Sequence, residues 1–177
     1  MQGMAGQQAA SAKTKPLYTA EQKRLRDGSV WTLVQGVLAP VQFVVFLVSL
    51  GLVLRYLATG EGQAAATISI VIKTLTLYTI MITGAIWEKV VFGVYLFAEG
   101  FYWEDMVSML VLALHTAYLV ALSYDLLDTR ALMLLALAAY ATYVVNAAQF
   151  ILKLRAARLQ SAAQSMDNAG AAMEAAQ

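Results

Sequence analysis

The chain has no cysteine, one histidine and two prolines in 177 residues, and charged side chains at only 13% of positions. Without cysteine there are no disulfides, thiolate zinc sites, iron–sulfur clusters or cysteine nucleophile, and the redox compartment stays unspecified. One histidine cannot build a multi-histidine metal centre, so no protein-held metal is expected. Twelve Lys+Arg against eleven Asp+Glu leave a formal charge of +1, so no nucleic-acid partner is expected. Ordinary globular domains carry about 25% charged residues, so charge here is scarce. Apolar side chains make up 60% of the chain, and the mean hydropathy is +0.65. That composition excludes a disordered chain and points to a small integral membrane protein.

The few charges are segregated. Residues 28–54 contain none, residues 62–87 contain only Lys73, and residues 106–124 and 131–152 contain none. A membrane-spanning helix needs about 20 predominantly apolar residues, and lipid admits only helices or closed barrels. These runs lack the alternation of barrel strands. The expected fold is all-α: an integral membrane four-helix bundle with spans at roughly 31–55, 67–87, 105–124 and 131–154. Thr19-Ala20-Glu21-Gln22 fits a capping box and predicts a short N-terminal interfacial helix over roughly 20–27. Gly60-Glu61-Gly62 reads as a tight outer turn. Residues 17–159 form the expected domain, flanked by mobile tails at 1–16 and 160–177, the second rich enough in Ala to extend the last helix. No signal peptide is expected, because the first apolar run starts late and is too long.

With four spans, Lys13, Lys15, Lys23, Arg24, Arg26, Lys89, Lys153, Arg155 and Arg158 share one face, and the opposite loops hold only Arg55 and Arg130. The excess of basic residues predicts that both termini and the 88–104 loop are cytoplasmic, in a multi-pass protein of the bacterial inner membrane.

Polar side chains inside spans are expensive and mark function or helix–helix contacts. Gln35 and Gln42 share a face of span one, with Pro40 between them bending the helix. They either bond to neighbouring helices or line a substrate pocket. In span two, Ser69, Lys73, Thr76, Thr83 and Trp87 form a stripe that should face the bundle. Lys73 either snorkels to the outer interface or meets an anionic group. In span four, Thr142, Asn146, Gln149 and Lys153 form a similar stripe, suited to bonding His115 or span one, or to holding a ligand's polar edge.

The densest chemistry falls at the ends of spans two and three: Trp87-Glu88-Lys89 and Phe101-Tyr102-Trp103-Glu104-Asp105. Glu104 and Asp105 suit a helix N-terminus electrostatically, and Glu88 and Lys89 suit a solvated pair. Carboxyl groups among aromatic rings at a half-dry interface also suit a general acid, so Glu88, Glu104 and Asp105 are candidate catalytic residues. Trp87 and Trp103 are candidate substrate contacts, with Gln35, Gln42, Lys73, Asn146 and Gln149. His115 lies about 16 Å along the helix from Glu104 at 1.5 Å per residue, too far for a direct acid–base dyad. Three roles stay open for it: a hydrogen bond between helices, water activation, and axial ligation of a chlorin's magnesium.

Several long ordered motifs closely resemble the 3-vinyl (bacterio)chlorophyllide hydratase family: Leu17-Tyr18-Thr19-Ala20-Glu21-Gln22, the run Val30 to Pro40, Trp87-Glu88-Lys89, Trp103-Glu104-Asp105 and Leu114-His115-Thr116-Ala117-Tyr118. The resemblance covers residues 17–159. It departs from the family pattern in the 94–100 loop, at Val94 and near Glu99, which leaves that loop's part in substrate contact open. The resemblance implies that water adds across the C3-vinyl group of chlorophyllide a, or of a related 3-vinyl chlorin, giving the 3-(1-hydroxyethyl) product of bacteriochlorophyll biosynthesis. It also implies no cofactor: magnesium arrives with the substrate, and water is the co-substrate. Membrane lipid and other enzymes of the pathway are the implied partners, with oligomer formation left open. The alternative reading is a non-catalytic tetrapyrrole-binding or photosystem-assembly protein, which needs a magnesium ligand and no acid cluster.

Overall fold

The computed structural model describes residues 17–174; the first tail, residues 1–16, and residues 175–177 lie outside this range. Five helices follow in order: α1 (Ala20–Gly28), α2 (Val30–Thr59), α3 (Gln63–Phe92), α4 (Tyr102–Ser123) and α5 (Thr129–Glu174). Helices α2, α3, α4 and the first 35 residues of α5 are each long and apolar enough to cross a membrane. The all-α, four-span bundle with a short leading helix is therefore the architecture of the chain.

Local chemistry sets the helix ends. Thr19 Oγ1 accepts from the Gln22 N–H at 3.2 Å while Gln22 Oε1 accepts from the Thr19 N–H at 2.9 Å, so the capping box starts α1. Ser29 closes α1, and its Oγ accepts from the Trp31 N–H to begin α2 at once. Gly60 and Gly93 end α2 and α3 with φ of +76° and +83°, a left-handed conformation that costs glycine little. Pro40 lies within α2, which continues to Thr59. The helices extend beyond the charge-free runs because Arg55, Glu88, Lys89 and Glu104 occupy their terminal turns. Helix α5 runs unbroken through the Ala-rich segment to Glu174.

The bundle is built as two helical hairpins. Helix α2 packs along α3, and α4 along α5, whereas the two hairpins touch each other much less. Three bonds between side chains tie α2 to α3. Ser49 pairs with Ser69 at 2.7 Å, Gln35 Nε2 donates to Thr83 Oγ1 at 2.7 Å, and Trp87 Nε1 donates to Thr32 Oγ1 at 2.9 Å. Asn146 Nδ2 donates to Ser108 Oγ at 2.8 Å, and Lys153 Nζ donates to Glu104 Oε2, tying α5 to α4. Across the seam between the hairpins, Ser49 bonds the Tyr140 hydroxyl at 2.5 Å and Tyr78 bonds Thr116 at 2.8 Å. The apolar core fills the half of this seam remote from α1, with Phe46, Val53, Ile70, Val111, Met133 and Tyr140 buried against one another.

Candidate active site

Polar groups gather at two levels of the bundle. The first is at the α1 end, where α3 finishes and α4 begins. Glu88, Glu104 and Asp105 are all buried there, and the carboxyl groups of Glu88 and Asp105 lie close enough to interact with each other. Two ionised carboxylates repel each other, so a buried pair this close favours a proton on one of the two acids. Backbone donors hold the pair in place: the Ala98 N–H donates to Glu88 Oε2 at 3.3 Å, and the Phe97 N–H donates to Asp105 Oδ2 at 2.7 Å. Phe97 has a φ of +61°, a strained region for an aromatic residue. Asp105 thus pins a strained loop over the acid pair. The third carboxylate, Glu104, is bound instead by Lys153.

Aromatic rings wall this centre. Trp87, Phe92 and Phe101 meet edge to face with centroids 5.7 Å apart, Tyr18 stacks on Phe92 at 5.7 Å, and Phe150 stacks on Phe101 at 5.9 Å. The sequence pointed to Tyr102 and Trp103 as the neighbouring rings, but both face outward, Trp103 at 71% exposure. Helix geometry explains this for Trp103, which precedes Glu104 by one residue and Asp105 by two and so occupies another face. Tyr18 and Phe150 come from α1's leader and from α5, which no local motif connects to the acids. Lys89 forms no solvated pair with Glu88; its ammonium donates to the Gly93 carbonyl at 2.7 Å and caps α3.

The second level lies deeper, about 15 Å from Asp105 along α4 at 1.5 Å per residue, at His115. Its Nδ1 is 2.8 Å from the Val111 carbonyl. A carbonyl only accepts, so Nδ1 carries the hydrogen and Nε2 presents a lone pair. Lys73 does not snorkel: it is fully buried, with Nζ 3.8 Å over the Tyr143 ring. The Ser49–Ser69 and Gln35–Thr83 bonds bracket Gln42 on α2 opposite the middle of α3, within a turn of Lys73. Lys73 Nζ, His115 Nε2 and both amide atoms of Gln42 have no hydrogen-bond partner among the described residues. Lys73 and His115 are close enough to interact electrostatically, and the His115 ring sits 5.8 Å from Tyr140.

Of the remaining sequence candidates, Gln35 is committed to Thr83, Asn146 to Ser108, and Gln149 Oε1 is buried without a partner. Ser49, Ser108, Tyr140 and Tyr143 were not singled out by sequence. A lone Ser or Tyr in an apolar run carries no periodic signal, and only the packing of distant helices gives each a polar partner.

The sequence profile of the 2-vinyl bacteriochlorophyllide hydratase family matches residues 18–156. Two curated proteins named 2-vinyl bacteriochlorophyllide hydratase are 65% identical to the chain over 150 residues. That of Cereibacter sphaeroides aligns with 84% of this chain and 92% of its own length. That of Rhodobacter capsulatus aligns with 85% and 87%. No solved structure matches significantly. The match takes in α1, all four spans, both carboxyl partners and His115: the chain belongs to the 2-vinyl bacteriochlorophyllide hydratase family.

Proposed function

We propose that the protein hydrates the ring-A vinyl group of a 3-vinyl chlorin such as chlorophyllide a, the substituent numbered 2 in the family's name, and that the Glu88–Asp105 pair moves the proton. The observation that carries this reading is the close pair of buried carboxyl groups, Glu88 and Asp105, each held by a backbone N–H in an aromatic-walled site. It holds a transferable proton beside surfaces suited to a flat apolar ring. The pair gives its proton to the terminal vinyl carbon, and the cation formed on the inner carbon is delocalised into the macrocycle. Water attacks that inner carbon and returns a proton to the pair. One water is consumed, the 1-hydroxyethyl product forms, and the pair regains its starting state without a redox partner.

The sparse seam between the hairpins suits a planar ligand entering from lipid. The rings of Trp87 and Phe101 supply the edge-on contacts for it, and the Glu104–Lys153 pair holds α4 against α5 behind the acids. The α1 end lies on the cytoplasmic face of the bacterial inner membrane in this reading, supported by nine of twelve basic residues on that side. Water then reaches the acids from the cytoplasm, and reporter fusions at the C-terminus are expected to score as cytoplasmic.

The test is conversion of chlorophyllide a by membranes containing the protein, followed by chromatography for a product heavier by one water. Glu88→Gln and Asp105→Asn are each expected to lower the rate by about 10²–10⁴-fold, the usual worth of general acid catalysis, while the protein stays in the membrane. Near-full activity in both variants would place the proton donor elsewhere.

A further inference from the structure

The end of the bundle remote from α1 holds a cavity that the hydration chemistry leaves unused. It measures about 140 Å³ and is lined by Tyr56 and Leu57 in the last turn of α2, by Gly60 in the turn that follows, and by Arg130 in the first turn of α5. Gln63 Nε2 donates to Thr129 Oγ1 at 3.0 Å, so the starts of α3 and α5 are fastened to each other at this end. The cavity therefore sits at the rim of the seam, between α2 of one hairpin and α5 of the other. Most charges here already have a partner. Arg55 lies 3.5 Å from Glu61, and Asp128 Oδ1 accepts from the Ala131 N–H at 2.8 Å and caps α5. Asp125, the other acid of these loops, is exposed and does not line the cavity. Arg130 lines it and has neither an ion pair nor a hydrogen bond among the described residues. A guanidinium keeps its charge at any ordinary pH, so the cavity presents a permanent cation without an anion.

The surroundings identify that anion. Helices α2 and α5 are spans, so Tyr56 and Arg130, at their ends, stand where the hydrocarbon meets the headgroups. Away from the cavity, toward the middle of the bundle, both helices present exposed apolar side chains. Leu54 and Leu47 lie three and ten residues before Leu57 on one face of α2, and Leu134 lies one turn after Arg130 on α5. We propose that this cavity is a phospholipid site, in which Arg130 binds the phosphate and the acyl chains run along Leu54, Leu47 and Leu134. The planar fork of the guanidinium matches two phosphate oxygens at once. A free anion gains the arginine alone, whereas a lipid also covers the apolar strip that leads away from it. The phosphate lies at the end of the bundle opposite the acid pair, so this assignment stands or falls independently of the hydration reading.

Native mass spectrometry of the full chain tests this, with the protein released from detergent micelles that contain phosphatidylglycerol, phosphatidylcholine or diacylglycerol of the same acyl chains. Either phospholipid is expected to stay bound, and diacylglycerol, which lacks the phosphate, is expected to be lost. Titration in the same detergent should show Arg130→Gln weakening phosphatidylglycerol binding about tenfold, as loss of one charge-assisted contact does. Arg130→Lys keeps the charge without the fork and should weaken it less. Arg55→Gln removes a second arginine at the same end, one that Glu61 already holds, and should leave binding nearly unchanged. Equal losses in Arg130→Gln and Arg55→Gln would mean that the lipid answers to interfacial charge and not to the cavity, and would overturn the proposal. Retention of diacylglycerol as strong as that of the phospholipids would also overturn it, by assigning the site to acyl chains alone. So would displacement of the bound phospholipid by inorganic phosphate, which would assign the cavity to a free anion.

Discussion

Replacing Lys73 with Met should make the ligand-free protein more stable. Lys73 is fully buried, its Nζ has no hydrogen-bond partner among the described residues, and its one close favourable contact is the Tyr143 ring at 3.8 Å. A buried polar group left unpaired costs about 1–3 kcal/mol on protein scales, and a desolvated cation over an aromatic face recovers up to about 2 kcal/mol if the amine is charged. Met is also unbranched, removes the polar atom and keeps a favourable sulfur–ring contact worth about 0.3–1.5 kcal/mol. The balance is a gain of roughly 1–2 kcal/mol. At about 2–4 °C per kcal/mol for a chain of this length, the melting temperature should rise by roughly 2–8 °C. The assay is thermal unfolding in nanodiscs without pigment. A ligand-free variant that melts several degrees below wild type would refute the reasoning, since it would mean that Lys73 already makes a net favourable contact in the empty protein.

His115→Ala should weaken binding of chlorophyllide a and of its magnesium-free form alike, as measured by pigment titration; a loss confined to the magnesium form would assign Nε2 to the metal. Trp87→Phe keeps the ring contacts with Phe92 and Phe101 but removes the bond to Thr32, so thermal unfolding should show a loss of about 1 kcal/mol. Burial holds the Tyr18 phenol above its ordinary value of 10.0, against the lowering influence of Arg26. A detached leader ionises first, binds fewer protons above pH 10, and so loses its docking free energy as pH rises through that range. Limited proteolysis around α1 should therefore accelerate above pH 10 in wild type and much less in Tyr18→Phe.

Much of this protein was already determined by its amino-acid sequence, because lipid leaves a chain few options. Charge-free runs of about 20 residues must be helices there, and the capping box at Thr19 and the glycines at 60, 62 and 93 mark boundaries through purely local chemistry. The runs underestimated helix lengths for a physical reason: charges mark where lipid ends, whereas a helix continues until its backbone is capped. The clustering of Glu88, Glu104 and Asp105 was legible too, since two adjacent helix ends on one face must lie near each other. Tertiary structure alone decided which of these acids pair. Register along α4 turns Asp105 to Glu88 and Glu104 to Lys153, and sends Trp103 outward. It also decided that Lys73 stays inside. A lysine five or six residues into a span has the reach to snorkel, and only the packing of α3 against α2 and α5 closes that route and leaves its ammonium over Tyr143. Pairing across the seam depends on how two hairpins dock, a long-range property that no periodicity within a single helix encodes.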